Sequence, residues 1–263
     1  MNNNQLINST IDRCLLIKQL PNTMWKKGAV KNDTLSNYEI YMRELINNSE
    51  YFRNKANGQL YAEPQREDHG EPDAYSDSYQ IDFKLLLASS MGNAQNNTDF
   101  QIEMTDCYSY ITKACKAYKE KDKEKRYASN LLPILRPYTY QDLIDEKYPK
   151  ENNIIRKDIK NMINDLNKQK NLLLIIPSIF SIAEPLTSED KLLILKNALQ
   201  LDAYKLIEYR KHILPQLDTY ICTILEESFV VLGDDGSKLE IIEVIDANEC
   251  PTYLHLKSLH FCI

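Results

Sequence analysis

The chain has 263 residues, of which 43% are hydrophobic and 27% charged, and its formal net charge is −6. This length and composition are those of a globular protein with a buried core, which excludes a disordered or low-complexity chain. The negative charge argues against a protein that holds nucleic acid over a broad basic surface, so any such contact has to be local or assisted.

The sequence also excludes two common kinds of ligand site. Its six glycines form neither GxGxxG nor GxxxxGK[ST], which excludes a glycine-rich phosphate loop. Its six cysteines include no CxxC pair and its four histidines no HExxH motif, which argues against a zinc centre. Carboxylates remain the favoured ligands of any metal ion, and they suit a hard cation such as Mg²⁺.

We find no membrane signal in the sequence. No apolar run approaches the ~20 residues that span a bilayer. The first ten residues lack the basic and apolar regions of a signal peptide. We therefore expect a soluble, cytoplasmic protein with no membrane partner.

The first predicted elements are a helix and a short strand. Ser36 and Glu39 have the spacing of a capping box, and apolar residues follow at helical intervals, which predicts a helix over about Asn37–Phe52. The composition of Gln59–Ala62 then predicts a strand.

Residues 70–87 predict a β-hairpin that turns at Asp77-Ser78. A two-residue turn fixes the register, so Asp73 lies opposite Asp82 on the other strand. Because side chains alternate along a strand, the second strand has a polar and an apolar face. The polar face carries Gln80, Asp82 and Lys84, and the face toward the core carries Ile81, Phe83 and Leu85.

Beyond the hairpin, the pattern predicts a large helical part, a central strand and a second hairpin. The predicted helices cover about Cys107–Arg126, Asn153–Lys170, Ser188–His212 and Leu217–Leu225. The continuous apolar run Leu172–Ile176 predicts a central strand that is buried on both faces. A second hairpin is predicted over Phe229–Val244, and one further strand over Thr252–Lys257.

The first predicted hairpin carries the residue types of a metal site. Two carboxylates held side by side repel each other, so they recruit a divalent cation or a proton. A bound cation supplies Lewis acidity toward a phosphodiester, and Lys84 can orient the attacking water or stabilise charge in the transition state. The alternative is that Asp73 and Asp77 serve only the turn, while Asp82 and Lys84 form an exposed polar face.

These residues resemble the motif of the PD-(D/E)xK nuclease superfamily, the fold of many restriction endonucleases and of repair and phage-defence nucleases. Pro72-Asp73 matches the PD element, and Asp82-Phe83-Lys84 matches the (D/E)xK element. The predicted order of helices and strands also resembles the α-β-β-β-α-β core of that family, tightly over about Asn37–Leu87 and loosely over Asn153–Pro177.

The resemblance implies a role for each residue of the motif. Asp73 and Asp82 would ligate Mg²⁺, which Mn²⁺ can replace. The backbone carbonyl of Phe83 would add a ligand, and Lys84 would be the catalytic lysine.

The first core helix of that family often carries a further glutamate. Glu39 is the first candidate for this catalytic position, and Glu44 is the second. Glu39 also has an alternative, structural role in the capping box, so both interpretations stay open.

The sequence therefore predicts an α/β protein that forms a single nuclease-like domain over residues 1–263 with a mixed central sheet. Its restriction-endonuclease-like core covers about residues 35–90 and 153–180. A helical insertion covers about 91–150, and a helical part with a C-terminal β-hairpin covers 181–263. The resemblance implies a metal-dependent DNA endonuclease or nuclease subunit, with a role in restriction or anti-phage defence. The acidic balance favours targeting by a partner subunit or a homo-oligomer.

Two other functions stay open. A noncatalytic adaptor of a larger complex is favoured by the net negative charge, the long helical insertion and the 17 tyrosines. A hydrolase of a small phosphate ester would share the carboxylates but would need a closed pocket. Five basic residues are predicted to be solvated helix charge rather than phosphate contacts: Arg156, Lys157, Lys160, Lys168 and Lys170.

Overall fold

The computed structural model describes residues 15–20, 24, 36–63, 71–87, 131–148, 153–182 and 185–260. Its strands are β1 (Leu15–Gln19), β2 (Ala74–Tyr75), β3 (Gln80–Leu85), β4 (Asn171–Ile182), β5 (Thr219–Leu225), β6 (Ser228–Asp234) and β7 (Leu239–Asp246). Its helices are α1 (Asn37–Asn48), α2 (Glu50–Lys55), α3 (Leu132–Leu135), α4 (Tyr140–Ile144), α5 (Asn153–Leu166), α6 (Ser188–Asp202), α7 (Tyr204–Ile213) and α8 (Pro251–His260), with a 3₁₀ turn at Ala247–Glu249. The predicted helix over Cys107–Arg126 lies outside the described residues.

The strands form one mixed sheet in the order β2-β3-β4-β5-β6-β7. Strand β4 is parallel to both β3 and β5, and the remaining neighbours in this order are antiparallel. Strand β1 pairs antiparallel with the second half of β4, beyond the segment that pairs with β3. The predicted α/β class with a mixed central sheet is confirmed.

Strand β4 is buried on both faces, as its continuous apolar run predicted. Leu172, Leu174 and Ile176 belong to the core that also contains residues of α3 to α7. Leu173 and Ile175 belong to the opposite core, with residues of α1, α2 and α8. Because helices cover both faces, the strand needs no polar side to meet water.

Several predicted boundaries change in the structure. The helix predicted over Asn37–Phe52 divides at Ser49 into α1 and α2, and the helix predicted over Ser188–His212 divides at Ala203 into α6 and α7. The strand predicted over Gln59–Ala62 is reduced to a single bridge between Ala62 and Tyr75. The second hairpin is confirmed as β6 and β7.

The helix predicted over Leu217–Leu225 is wrong, because this segment forms β5. All seven residues of β5 are buried between the two neighbouring strands and the helices on both faces. A short apolar run that is buried all round has no periodicity that separates a strand from a helix.

The strand predicted over Thr252–Lys257 is also wrong, because this segment belongs to α8. Tyr253 and Leu256 lie three residues apart and are both buried in the core that contains α1. This spacing puts them on one face of a helix.

No described helix is long and apolar enough to cross a membrane.

Candidate active site

The hairpin of β2 and β3 positions the predicted catalytic residues. Its strands are joined by the two-residue turn Asp77-Ser78, and Tyr75 pairs with Gln80. The predicted turn and register are confirmed. Two residues farther from the turn on each strand, the same register brings Asp73 beside Asp82.

Asp73 is held by the backbone of β3 and by a side chain of α1. Its carboxylate accepts a hydrogen bond from the N–H of Phe83 at 2.6 Å, and its own N–H donates to Oδ1 of Asp82 at 3.3 Å. Its carbonyl accepts a hydrogen bond from Arg43 at 3.4 Å. These contacts place Asp73 next to Asp82, as the register predicted.

Asp82 lies on β3 and is only 8% exposed. Its Oδ1 accepts a hydrogen bond from Nζ of Lys170 at 3.2 Å. Lys170 directly precedes β4, and because β4 runs parallel to β3, the beginnings of the two strands lie side by side. The burial of Asp82 argues against the alternative in which it belongs to an exposed polar face.

Lys84 is half-buried and forms an ion pair with a carboxylate of α5. Its Nζ lies 2.5 Å from Oδ2 of Asp165, and Nζ of Lys168 lies 3.0 Å from the other oxygen of the same carboxylate. Asp165 is itself largely buried, with 15% of its side chain exposed. Helix α5 therefore supplies the group that fixes the ammonium of Lys84.

The two candidate glutamates of α1 have different surroundings. Glu39 accepts a hydrogen bond from the N–H of Ser36 at 2.8 Å, as a capping box requires, and it also lines the same cleft as Asp73. Glu44 accepts hydrogen bonds from the N–H and the hydroxyl of Thr252 at the start of α8. Glu39 is therefore the helix carboxylate that the cleft contains, and Glu44 is a structural cap.

The predicted side chains line one cleft of ≈ 540 Å³. Among its described lining residues, the acidic ones are Glu39, Glu71, Asp73, Asp82 and Asp165, and the basic ones are Lys84, Lys168 and Lys170. Carboxylates thus outnumber ammonium groups. A cleft with this balance attracts cations.

Asp73 has a raised carboxyl pKa, of which burial is the largest cause. Burial raises the pKa of its carboxyl to about 7, against the lowering effect of the N–H of Phe83, and the nearby charges of Asp82 and Glu39 raise it further. A second positive charge beside Asp73 would stabilise its ionised form. The carboxyl therefore takes either a proton or a cation near neutral pH.

The donor set of the cleft fits Mg²⁺. Within the described part of the chain, no three His, Cys, Asp or Glu side chains form a group that could hold a metal ion by themselves. Mg²⁺ usually needs only one or two carboxylates, and takes its remaining ligands from water and substrate phosphate. Asp73 and Asp82 supply such a pair.

Phe83 occupies the position between the two motif residues of β3. Its N–H donates to Asp73 at 2.6 Å, and the N–H and C=O of one strand residue point toward the same edge. The carbonyl of Phe83 therefore faces the edge on which Asp73 lies, where the resemblance places a further ligand.

Sequence reasoning missed the contribution of the turn between α5 and β4. Lys168 and Lys170 were predicted to be solvated charge, but both line the cleft and pair with carboxylates. The order of the elements could have indicated this contribution. Because β4 runs parallel to β3, the turn that precedes β4 lies beside the start of β3. The other three basic residues are exposed on α5, as predicted: Arg156, Lys157 and Lys160.

A second polar cluster, which we call the hydroxyl cluster, lies at the beginnings of β3 and β5. It consists of Tyr51, Lys55, Tyr79, Asp218 and Tyr220. Nζ of Lys55 and the hydroxyl of Tyr79 donate to Asp218 at 2.9 and 2.7 Å. The hydroxyl of Tyr220 lies 3.2 Å from those of Tyr51 and Tyr79. Every member of this cluster has a partner within it.

Comparison of the chain with protein-family models, with curated proteins and with solved structures finds no match.

Proposed function

We propose that this protein is a metal-dependent nuclease that hydrolyses phosphodiester bonds in DNA. The observation that carries the proposal is the hairpin register, which sets Asp73 beside Asp82 within the cleft that Lys84 also lines. Two adjacent carboxylates and a lysine are the residue types that metal-assisted phosphodiester hydrolysis needs.

The order of elements supports the same proposal. Helix α1, the bridge at Ala62, β2, β3, α5 and β4 occur along the chain in the sequence of the α-β-β-β-α-β core, with the single bridge in the place of the first strand and with α2, α3 and α4 between these elements. Strands β3 and β4 are parallel, with α5 between them in the chain. The proposed site lies where these elements meet.

Five residues of the cleft have a role in the proposed reaction. Asp73, Asp82 and the carbonyl of Phe83 would hold Mg²⁺, which supplies Lewis acidity toward the phosphodiester and activates water. Asp165 holds the ammonium of Lys84 inside the cleft, where it can orient the attacking water or stabilise the charge that develops on the phosphate.

DNA is the proposed substrate because the resemblance is to a superfamily that mostly cuts DNA. The net charge of −6 supports a need for a partner subunit or a second copy of the chain to hold the DNA. A role in restriction or anti-phage defence follows from the same analogy.

The decisive test is cleavage of supercoiled and linear plasmid DNA with Mg²⁺ or Mn²⁺ by the wild type and Lys84→Ala. We expect wild-type cutting to fall by at least about a hundredfold in the variant, since a preorganised charge aimed at the transition state is lost. Lys157→Ala is the matched control, because Lys157 is exposed on α5 and does not line the cleft.

Equal cutting by the wild type and Lys84→Ala would contradict the proposed role of Lys84. Loss of cutting in both Lys84→Ala and Lys157→Ala would show that the net charge matters and the cleft does not. Purification of all three proteins by the same protocol excludes a contaminating nuclease as the source of a difference.

One observation favours the adaptor as a second candidate. Both charged residues of the (D/E)xK element are already paired, Asp82 with Lys170 and Lys84 with Asp165. A thermal-melting titration with Mn²⁺ separates the two functions. A metal site raises the melting temperature of the wild type but not of Asp82→Ala, whereas an adaptor without a metal site shows no shift in either.

A further inference from the structure

Lys170 forms an ion pair with Asp82, one of the residues that would hold a metal ion at the proposed site. Its Nζ lies 3.2 Å from Oδ1 of Asp82, and the N–H of Asp73 donates to the same oxygen at 3.3 Å. About a quarter of the lysine side chain is exposed. One oxygen of a proposed metal ligand therefore already has a cationic partner.

The backbone beside Lys170 is fixed by a buried arginine. Arg210 is 0% exposed and donates to the carbonyls of Leu166, Lys168 and Lys170, at 2.5, 3.2 and 2.6 Å. Its Nε also donates to the hydroxyl of Thr219 at 2.9 Å. The turn between α5 and β4 is thus held against β5, which fixes the backbone from which the side chain of Lys170 extends.

Burial lowers the pKa of Arg210 to about 10, so its guanidinium keeps its charge at neutral pH. The carbonyls of the turn are therefore held by a permanent cation. This anchor keeps the ammonium of Lys170 within reach of Asp82 whether or not the two groups are in contact.

Lys168 is a natural comparison for Lys170. It belongs to the same turn, carries the same charge and lines the same cleft, but its Nζ pairs with Asp165 at 3.0 Å and not with Asp82. The two lysines share the field of the cleft, and they differ in which carboxylate they contact.

We propose that Lys170 is the resident counter-ion of Asp82, which a divalent cation has to displace in order to bind. The proposal rests on the proposed function, because it assigns a regulator of metal affinity to the same site. Two cations in contact with one carboxylate oxygen repel each other, so Lys170 has to leave Asp82 when the metal binds. The free energy needed to separate Lys170 from Asp82 therefore weakens the net binding of the metal. The affinity of the site for metal is thereby set by a residue that is not a ligand.

The test is titration of the protein with Mn²⁺ by calorimetry, without nucleic acid and therefore without turnover. Lys170→Met removes the charge and keeps most of the side-chain volume, and we expect it to bind Mn²⁺ about tenfold more tightly than the wild type. Lys168→Met should change the affinity by less than about threefold. Lys170→Arg keeps the charge and should stay within about threefold of the wild type. Asp82→Asn identifies the site, because it should lose this binding.

The outcomes separate this inference from the function on which it rests. Wild-type binding that Lys170→Met leaves unchanged or weakens would overturn the inference and leave the metal site standing. Equal tightening in Lys168→Met would overturn it too, because the general field would then be the cause. Absence of Mn²⁺ binding in both the wild type and Lys170→Met would overturn the metal site and the inference together. If Lys170→Met melts early, Lys170→Gln provides the same comparison.

Discussion

Two lysine–aspartate pairs lie at the beginnings of neighbouring strands, and they differ in what surrounds the carboxylate. Lys170 lies 3.2 Å from Asp82 in the cleft, and Lys55 lies 2.9 Å from Asp218 in the hydroxyl cluster. Asp82 is next to a second carboxylate, Asp73, whereas Asp218 is next to tyrosine hydroxyls.

The carboxyl pKa values of Asp218 and of Asp73, the neighbour of Asp82, are shifted in opposite directions. Burial alone would raise the pKa of Asp218, but hydrogen bonds from Lys55 and Tyr79 outweigh it and hold this pKa below its usual value. In the cleft, burial and the nearby acidic groups raise the pKa of Asp73 to about 7. Hydrogen-bond donors around an ion pair stabilise the charged form of its carboxylate. A second carboxylate beside an ion pair adds negative charge, which a further cation would stabilise.

The largest expected difference between the two regions is in catalysis. Asp82→Asn should reduce the proposed DNA cleavage on the order of a thousandfold, because it removes a charge that is proposed to hold the metal. Asp218→Asn, the same chemical change in the hydroxyl cluster, should leave the cleavage rate within about twofold at a temperature where both variants are folded. Plasmid cleavage at saturating Mg²⁺ measures both, and similar losses would remove the distinction between the two clusters.

A smaller difference is expected between the two glutamates of α1. Glu39→Gln should lower cleavage about tenfold, the effect typical of a group that supports a metal site without dominating it. Glu44→Gln should leave cleavage unchanged and lower the free energy of unfolding by about 1 kcal/mol, because α8 loses its charged cap. Urea unfolding and cleavage assays on the same preparations check the pair, and a loss of cleavage confined to Glu44→Gln would reverse the assignment.

The raised pKa of Asp73 makes the stability of the protein depend on pH. Between the ordinary carboxyl pKa of about 4 and the folded value of about 7, the native state holds more protons than the unfolded chain, so stability falls as the pH rises. Asp73→Asn removes this loss. With a chelator present, the variant should be about 1–2 kcal/mol more stable than the wild type at pH 8, and equally stable near pH 4.

Thermal melting as a function of pH measures this effect, which corresponds to a shift of roughly 2–6 °C at pH 8. Added Mn²⁺ should reverse the order, because only the wild type keeps both carboxylates. A stabilisation of Asp73→Asn that is independent of pH would mean that charge is not its cause.

The hydroxyl cluster should show the smallest effect on stability. Its contribution should fall as the pH is lowered, whereas that of Asp73 falls as the pH is raised. Because the pKa of Asp218 is lowered, its contribution to stability is present above the unfolded carboxyl pKa of about 4 and disappears as the pH falls through the folded value. Tyr79→Phe removes one of the hydrogen bonds to Asp218 and should cost about 0.5–1 kcal/mol at pH 7 and less near pH 3. Chemical unfolding at the two pH values tests this, and a cost that grows toward acid would contradict it.

The hairpin could be predicted from the sequence because its determinants are local. A two-residue turn and the alternation of polar and apolar residues in β3 fix which side chains are neighbours, and this was enough to place Asp73 beside Asp82. The central strand β4 could also be predicted from the sequence, since only a strand covered on both faces can be apolar throughout.

The errors concern segments whose structure depends on distant neighbours. Strand β5 is buried on every side, so its sequence carries no periodic signal, and α8 has its structure stabilised by packing on α1. The lysines of the cleft have no local signature at all. Lys170 resembles the charge at any helix end until the parallel pairing of β3 with β4 places it beside Asp82.

The turn at Asp77-Ser78 limits how this segment of the chain can change in evolution. A slip of the strand pairing by one residue would move the side chains of Asp82 and Lys84 to the opposite face of β3 and bring the side chains of Ile81 and Phe83 to the face that carries the cleft carboxylates. The backbone ladder would survive such a slip, but the chemistry would not. A change that slips this register by one residue is therefore expected to keep the fold and to lose the proposed reaction.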